Sequence, residues 1–171
     1  MIALAVSGLC DLFDGVLARR LSRSAEASRF GGALDLVVDV CSFGMAPAVL
    51  FHGAGLRSGL DIVLLILFVW CAAWRLAYFE TAGLSAEQDG RYYRGLPTTF
   101  VALIVPIAGL AGFLGPGPLR IALTIAAAGL AIAMVSPIRV RKPYGRFLLV
   151  FPVLGLLLIL AYGLGHGYGV R

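Results

Sequence analysis

Apolar runs of helical length alternate with short polar connections along the chain. A helix rises about 1.5 Å per residue, so about 20 apolar residues cross a hydrocarbon core of ~30 Å. We predict a membrane helix for each of six runs: residues 2–20, 31–52, 59–82, 97–114, 119–136 and 146–164. The runs lack the two-residue alternation of membrane-barrel strands. The pattern therefore predicts an all-α, polytopic membrane bundle, because helices satisfy their own backbone hydrogen bonds in lipid.

The composition agrees with a membrane protein. Of the 171 residues, 60% are hydrophobic and 13% are charged, whereas soluble domains contain about 45–50% apolar residues. No linker or internal repeat divides the chain, so we expect residues 1–171 to form a single domain. The residues before Asp11 cover only about half of the hydrocarbon core. We therefore expect that an N-terminal helix is missing, or that helix one begins at mid-depth.

The basic residues indicate the topology of the chain. The connections after the first, third and fifth predicted helices contain Arg19, Arg20, Arg23, Arg29, Arg91, Arg94, Arg139, Arg141, Lys142 and Arg146. The opposite connections and the tail contain Arg57, Arg120 and Arg171. The positive-inside rule places the first set in the cytoplasm. We predict an integral protein of a bacterial inner membrane, and we do not interpret the net charge of +5 as nucleic-acid binding.

Acidic residues interrupt the first two apolar runs. A charged side chain at the bilayer centre costs about 2.5–3.5 kcal/mol on insertion scales, so each one is a functional hypothesis. The first helix contains Asp11 and Asp14, and the second contains Asp35 and Asp39. At about 100° per residue, the members of each pair share one helix face. A short loop joins the two helices, so we expect the two acidic faces to meet near the cytoplasmic side.

Four carboxylates at one place repel one another unless a cation lies between them. Oxygen ligands favour Mg²⁺, Mn²⁺ or Ca²⁺, and Mg²⁺ commonly joins protein carboxylates to substrate phosphates. The pattern therefore predicts a site for divalent cations and a phosphate. A single acid that reaches the headgroup layer is the alternative, but it explains two spaced pairs poorly. The nearby residues Gly15, Ala18, Gly31 and Gly32 either admit a ligand or let helices pack closely.

The segments DLFDGVLAR and GGALDLVVD together resemble the signature of the CDP-alcohol phosphatidyltransferases, Asp-x2-Asp-Gly-x2-Ala-Arg-x8-Gly-x3-Asp-x3-Asp. The matching residues are Asp11, Asp14, Gly15, Ala18, Arg19, Gly31, Asp35 and Asp39. Eleven residues separate Arg19 from Gly31 where the signature has eight, and a loop absorbs such an insertion at little cost. The segments DVCSFGMAPAVL, WRLAYFE, RYYRGLPTT and KPY resemble the phosphatidylserine synthase branch.

The resemblance implies that a phosphatidyl group is transferred from CDP-diacylglycerol to an alcohol, with release of CMP. It implies that Asp11, Asp14 and Asp35 are ligands of Mg²⁺ or Mn²⁺, with two ions expected. Asp39 matches the position that accepts the proton of the incoming hydroxyl group, and it can also contact a metal ion. The metals neutralise charge on the diphosphate, as in other phosphoryl transfers.

The same resemblance assigns residues to substrate binding. Gly15, Ala18 and Gly31 would admit the cytidine and its phosphates. Arg19 would pair with a phosphate, although a basic residue there also serves topology. Arg75 lies inside helix three, where it either binds the acceptor carboxylate or pairs with an acid such as Glu80.

Several alternatives stay open at the level of sequence. Serine is the favoured acceptor, because a phosphorylated acceptor would require more basic residues than Arg75 alone. Glycerol 3-phosphate, inositol phosphate and choline are the other acceptors considered. A divalent cation transporter is a remote alternative, since no inverted repeat is visible. A homodimer is a plausible assembly for so small a bundle.

Overall fold

The computed structural model describes residues 1–18, 24–82, 85–87, 90–141 and 150–167. The description leaves out the side chains of 14–18, 82, 85–87, 90–94, 139–141 and 165–167. The helices in the described part are α1 (Ile2–Ala18), α2 (Ala25–Gly53), α3 (Gly59–Ala82), α4 (Thr98–Leu114), α5 (Pro116–Val135) and α6 (Val150–Gly167). Each predicted apolar run thus overlaps one helix.

The prediction of six membrane spans is confirmed in part. Among the described residues, three helices are long and apolar enough to cross a membrane: Ala25–Gly53, Gly59–Thr81 and Pro116–Val135. The other apolar helices are shorter, and they cover Ile2–Phe13, Thr98–Leu114 and Val150–Leu164. The chain is therefore a helical membrane protein, and the count of six crossings stays a prediction.

Two element boundaries differ from the sequence-based expectation. The second helix was expected from residue 31, but α2 begins at Ala25, because the Ser24 hydroxyl accepts a hydrogen bond from the Ala27 backbone N–H at 3.2 Å. The fifth helix was expected from residue 119, but Pro116 already begins α5. Gly115 turns the chain at φ +122°, and a proline at the first helical position loses no helical hydrogen bond.

A small antiparallel sheet accompanies the all-α bundle that the sequence predicts. It consists of β1 (Ser85–Glu87), β2 (Gly90–Arg94) and β3 (Arg139–Arg141), in the order β1-β2-β3. Arg94 pairs with Arg139 in the register of β2 and β3. The strands are too short to show a hydrophobic period. The sheet places the connections after α3 and α5 at one end of the bundle, as the distribution of basic residues predicts.

The core lies where α2, α3 and α5 meet. Phe51 and Phe68 are fully buried, and their rings cross edge to face with centroids 5.7 Å apart. Large apolar side chains also cover the outside: Leu60 is 84% exposed and Ile132 is 72% exposed. Such a surface would aggregate in water. It is the surface expected of helices that contact lipid acyl chains.

The first helix packs antiparallel against α4 with a continuous register. Met1 contacts Gly109, a Cβ atom on Gly8 would overlap the Cβ of Ala102, and the next matched pair is Asp11 with Thr99. Each step forward along α1 is thus matched by an equal step backward along α4. Small residues at the crossing permit this close approach, and the register places the end of α1 against the start of α4.

A candidate metal and phosphate site

Three of the predicted acidic residues converge between α1 and α2. Carboxylate oxygens of Asp11, Asp35 and Asp39 lie within 4.8 Å of one another. Asp11 and Asp39 are half-buried, whereas Asp35 is exposed. The structure therefore brings together side chains from both predicted acidic helices, and it leaves one side of the group open to an incoming ligand.

The local structure of α2 explains how its two acids point the same way. Asp35 and Asp39 are one helical turn apart, so they share a face. A π-helical stretch, Val40–Met45, begins directly after Asp39, and such stretches often occur at functional sites. Gly44, within that stretch, packs against Ala72 of α3: a Cβ on Gly44 would be 3.5 Å from the Ala72 Cβ. The π-helical stretch therefore lies between the two acids and the half of α2 that packs against α3.

The group of carboxylates fits hard divalent cations. Mg²⁺ binds oxygen at about 2.0–2.1 Å, so two ligands of one ion are at most about 4.2 Å apart. A spread of up to 4.8 Å suits one ion after small side-chain rotations. It also suits two ions about 3.5–4 Å apart, as in two-metal phosphotransfer sites. An all-oxygen donor set favours Mg²⁺ or Mn²⁺ over zinc.

The other predicted members of the signature are only partly described. Asp14, Gly15 and Ala18 lie in the C-terminal part of α1, but their surroundings lie outside the described residues. Arg19 lies outside the described residues altogether. Gly31 lies on α2, one turn before Asp35, and is half-buried. Their roles stay predictions.

Thr99 belongs to this site, although sequence reasoning gave it no role. Its hydroxyl group donates a hydrogen bond of 3.1 Å to Oδ2 of Asp11. Thr99 lies in the first turn of α4, a 3₁₀ turn that Pro97 precedes. The only signal in the sequence is a pair of hydroxyl side chains at the start of an apolar helix, which does not reveal the partner.

Arg75 lines a cleft in the C-terminal part of α3. The residue is 7% exposed, and its guanidinium carbon lies 5.2 Å from the centroid of the Phe79 ring. The cleft has a volume of about 290 Å³, and its lining comprises Trp74, Arg75, Tyr78, Met134, Val135, Ser136 and Pro137. Ala72 packs against Gly44, and α2 and α3 are joined by a tight turn. Arg75 and Asp39 therefore lie at similar depths, each within about one and a half helical turns of this contact.

Comparison with known proteins identifies the family of the chain. The family model of the CDP-alcohol phosphatidyltransferases matches residues 1–136. A CDP-diacylglycerol–serine O-phosphatidyltransferase of Methanocaldococcus jannaschii is 32% identical over 149 residues, which cover 86% of this chain and 67% of that protein. The enzyme of the same name from Saccharomyces cerevisiae is 36% identical over 108 residues, covering 59% of this chain and 38% of the yeast protein.

A third relative has a different acceptor in its name. The phosphatidylcholine synthase of Bradyrhizobium diazoefficiens is 32% identical over 100 residues, covering 58% of this chain and 36% of that protein. The chain thus spans between about a third and two thirds of the length of these relatives. The family match includes both acidic segments and all three converging carboxylates. The chain belongs to the CDP-alcohol phosphatidyltransferase family.

Proposed function

We propose that this protein transfers a phosphatidyl group from CDP-diacylglycerol to a small alcohol, with serine favoured, and releases CMP. The observation that carries the proposal is the convergence of Asp11, Asp35 and Asp39 within 4.8 Å in a member of this family. Relatives named as serine O-phosphatidyltransferases support serine as the acceptor. Choline is the first alternative to test, because one relative is a phosphatidylcholine synthase.

The carboxylates would hold one or two Mg²⁺ or Mn²⁺ ions, with Asp14 as a further ligand. Bound metal would supply positive charge to the diphosphate and so assist the departure of CMP. The protein's own contribution is to place the ligands in advance. Asp11 comes from α1, and Asp35 and Asp39 come from α2, so the mutual position of two helices defines the site.

The acceptor hydroxyl oxygen attacks the phosphorus that carries the diacylglycerol. The bond from this phosphorus to the bridging oxygen of CMP breaks, and CMP departs with the electron pair. Asp39 accepts the hydroxyl proton as the general base. Its half-buried position on the face shared with Asp35 suits this role, because the reacting hydroxyl group must lie beside the diphosphate.

The remaining residues of the signature would bind the nucleotide. Gly15, Ala18 and Gly31 are small enough to let cytidine and its phosphates approach the helix backbones, and Arg19 would pair with a phosphate oxygen. The open side of the carboxylate group, where Asp35 is exposed, is available to the diphosphate.

Arg75 would bind the acceptor. A buried guanidinium group at the edge of a cleft of about 290 Å³ suits a small carboxylate such as that of serine. The similar depth of Arg75 and Asp39 supports delivery of an acceptor hydroxyl group to the carboxylates.

We further propose that the active site faces the cytoplasm of a bacterial inner membrane and that the protein is a homodimer. The basic connections after α3 and α5 lie at one end of the bundle, and the positive-inside rule supports a cytoplasmic position for that end. No residue of Ala25–Asp39 is buried in the monomer. This half of α2 therefore offers a surface to a second copy, which cross-linking in membranes can detect.

The test is a CMP-release assay on the full chain in lipid nanodiscs. CDP-diacylglycerol and Mn²⁺ are supplied with serine, choline, glycerol 3-phosphate or inositol phosphate, and each reaction is repeated after chelation with EDTA. We expect release with serine that stops on chelation and returns with added Mn²⁺. If no acceptor supports CMP release by the folded protein, the proposal is wrong. Mn²⁺ flux into sealed vesicles without CMP release would instead support the transporter.

A further inference from the structure

The hydroxyl group of Thr99 makes an unusual contact for a threonine in a membrane helix. Thr81 donates to the carbonyl oxygens of Ala77 and Tyr78, and Thr124 donates to that of Arg120, all within their own helices. Such local bonds are common for helical threonines. Thr99 instead donates across to Asp11 of α1, 88 positions away in sequence. Its hydroxyl group therefore connects two helices at the acidic site.

The backbone that carries Thr99 is held from several directions. Gly95 adopts φ +80°, and its N–H donates to the Ile138 carbonyl at 2.9 Å. The Leu96 N–H donates to the Ala133 carbonyl at 3.0 Å. A Cβ on Gly95 would collide with the Met134 carbonyl oxygen, so only glycine fits this turn. The segment before Thr99 is thus attached to the end of α5.

The residues beside Thr99 are also fixed. Thr98 is 1% exposed. The Phe100 ring meets the Phe151 ring of α6 at 88°, with centroids 4.8 Å apart. Three residues further along, Ala102 packs against Gly8, which lies three residues before Asp11. Thr99 and Asp11 therefore each lie about one helical turn from a close helix crossing. The crossing restricts the distance between the two residues.

We propose that Thr99 is a positioning residue for the metal site. Its hydroxyl group holds one oxygen of Asp11 and thereby keeps the carboxylate in the orientation that meets Asp35 and Asp39. Hydrogen-bond partners of metal ligands typically change metal affinity or activity by about 10–100-fold when they are removed. The inference rests on the part of the proposed function that assigns a divalent cation to these carboxylates.

The neighbouring threonine provides a matched control. The Thr98 hydroxyl oxygen is buried and has no hydrogen-bond partner in the described part of the chain. Thr98→Val and Thr99→Val make the same change in shape and polarity on adjacent residues of one turn. Only Thr99→Val removes a hydrogen bond to Asp11, whereas Thr99→Ser retains the hydroxyl group.

The experiment measures Mn²⁺ binding directly, by titration of the full chain in nanodiscs with detection of free Mn²⁺ by electron paramagnetic resonance. We expect Thr99→Val to raise the dissociation constant for Mn²⁺ about tenfold or more, and Thr99→Ser and Thr98→Val to stay within about threefold of the wild type. In the Asp11→Asn background, Thr99→Val should add little, because the two residues act through one contact. Thermal unfolding without Mn²⁺ establishes that each variant is folded.

The outcomes separate this inference from the proposed activity. If the wild-type protein binds Mn²⁺ and Thr99→Val weakens binding, Thr99 positions the site even if no acceptor supports CMP release. If CMP is released but Thr99→Val binds Mn²⁺ as tightly as the wild type, the positioning role is wrong. Equal weakening by Thr98→Val and Thr99→Val, or no Mn²⁺ binding by the wild type, also overturns it.

Discussion

The aspartates at the two ends of the bundle have different surroundings. Asp61, near the start of α3, is 8% exposed and lies 3.0 Å from Arg120 of α5. The Ser58 backbone N–H donates to the same carboxylate at 2.9 Å, and the Ser58 hydroxyl group accepts from the Asp61 N–H. This carboxylate therefore obtains its counter-charge and its hydrogen bonds from the protein. Asp11, Asp35 and Asp39 instead gather like charges from two helices within 4.8 Å.

The difference separates an acid that is paired within the fold from acids that we propose bind a ligand. Both regions must compensate the cost of charge near a membrane. At Asp61 a cation from a neighbouring helix compensates it, whereas the three carboxylates of the other region lie close enough together to suit a divalent cation. Gly53 ends α2 on the side of the bundle where Asp61 lies. About 20 Å of helix separates it from Asp39. Residue type alone does not distinguish the two regions, but their neighbours do.

The largest expected effect is the contrast between Asp39→Asn and Asp61→Asn. Loss of the proposed general base should lower CMP release about a thousandfold at saturating Mn²⁺, while binding of CDP-diacylglycerol is largely kept. Asp61→Asn should lower the thermal unfolding temperature and leave CMP release per folded molecule unchanged. Initial rates and a nucleotide-lipid binding assay measure the two effects. Similar losses of activity in both variants would break the comparison.

A second contrast tests whether the helix crossing sets the geometry of the acidic site. A Cβ on Gly8 would overlap Ala102, whereas a Cβ on Gly129 would meet nothing within 4 Å. Gly8→Ala should separate α1 from α4 and displace Asp11, and a displacement of 1 Å can cost about a hundredfold in rate. Gly129→Ala should be neutral or stabilising, since alanine favours helix by about 1 kcal/mol. Wild-type activity and Mn²⁺ affinity in Gly8→Ala would show that the crossing does not control the site.

The cations of the molecule offer a smaller contrast. Arg75 is 7% exposed in its cleft, whereas the side chain of Arg120 is 53% exposed. If Arg75 binds the acceptor, Arg75→Lys should raise KM for serine about tenfold through loss of a charge-assisted hydrogen bond, without changing KM for CDP-diacylglycerol. Arg120→Lys should change neither constant. Steady-state kinetics with one substrate varied at a time distinguish these results, and a rise in both KM values for Arg75→Lys would argue against an acceptor site.

The smallest effect should come from removing the ion pair itself. Arg120→Ala takes away a partner that is largely exposed, and such pairs contribute little to stability. We expect a small fall in the thermal unfolding temperature that shrinks at high salt, because salt screens exposed charges. CMP release should not change. A large loss of activity in this variant would mean that the Asp61 region communicates with the acidic site.

Much of the fold could be predicted because a membrane helix depends on the residues of one continuous segment. The apolar run at 59–82 coincides with α3, and that at 97–114 lies within one residue of α4. The start of α2 was missed because a single capping residue, Ser24, determines it. The strands of three to five residues are too short for a pattern to reveal, and the pairing of β2 with β3 joins connections that are far apart in the sequence.

The same division holds for the candidate site. Spacing along one helix is enough to place Asp35 and Asp39 on a common face, because helical geometry depends only on residues within a few turns. Their meeting with Asp11, the hydrogen bond from Thr99 and the cleft beside Arg75 each require two or more helices in a particular register. That register depends on close contacts such as Gly8 with Ala102, between residues far apart in the chain. Local chemistry therefore set which side chains were available, and packing decided which of them act together.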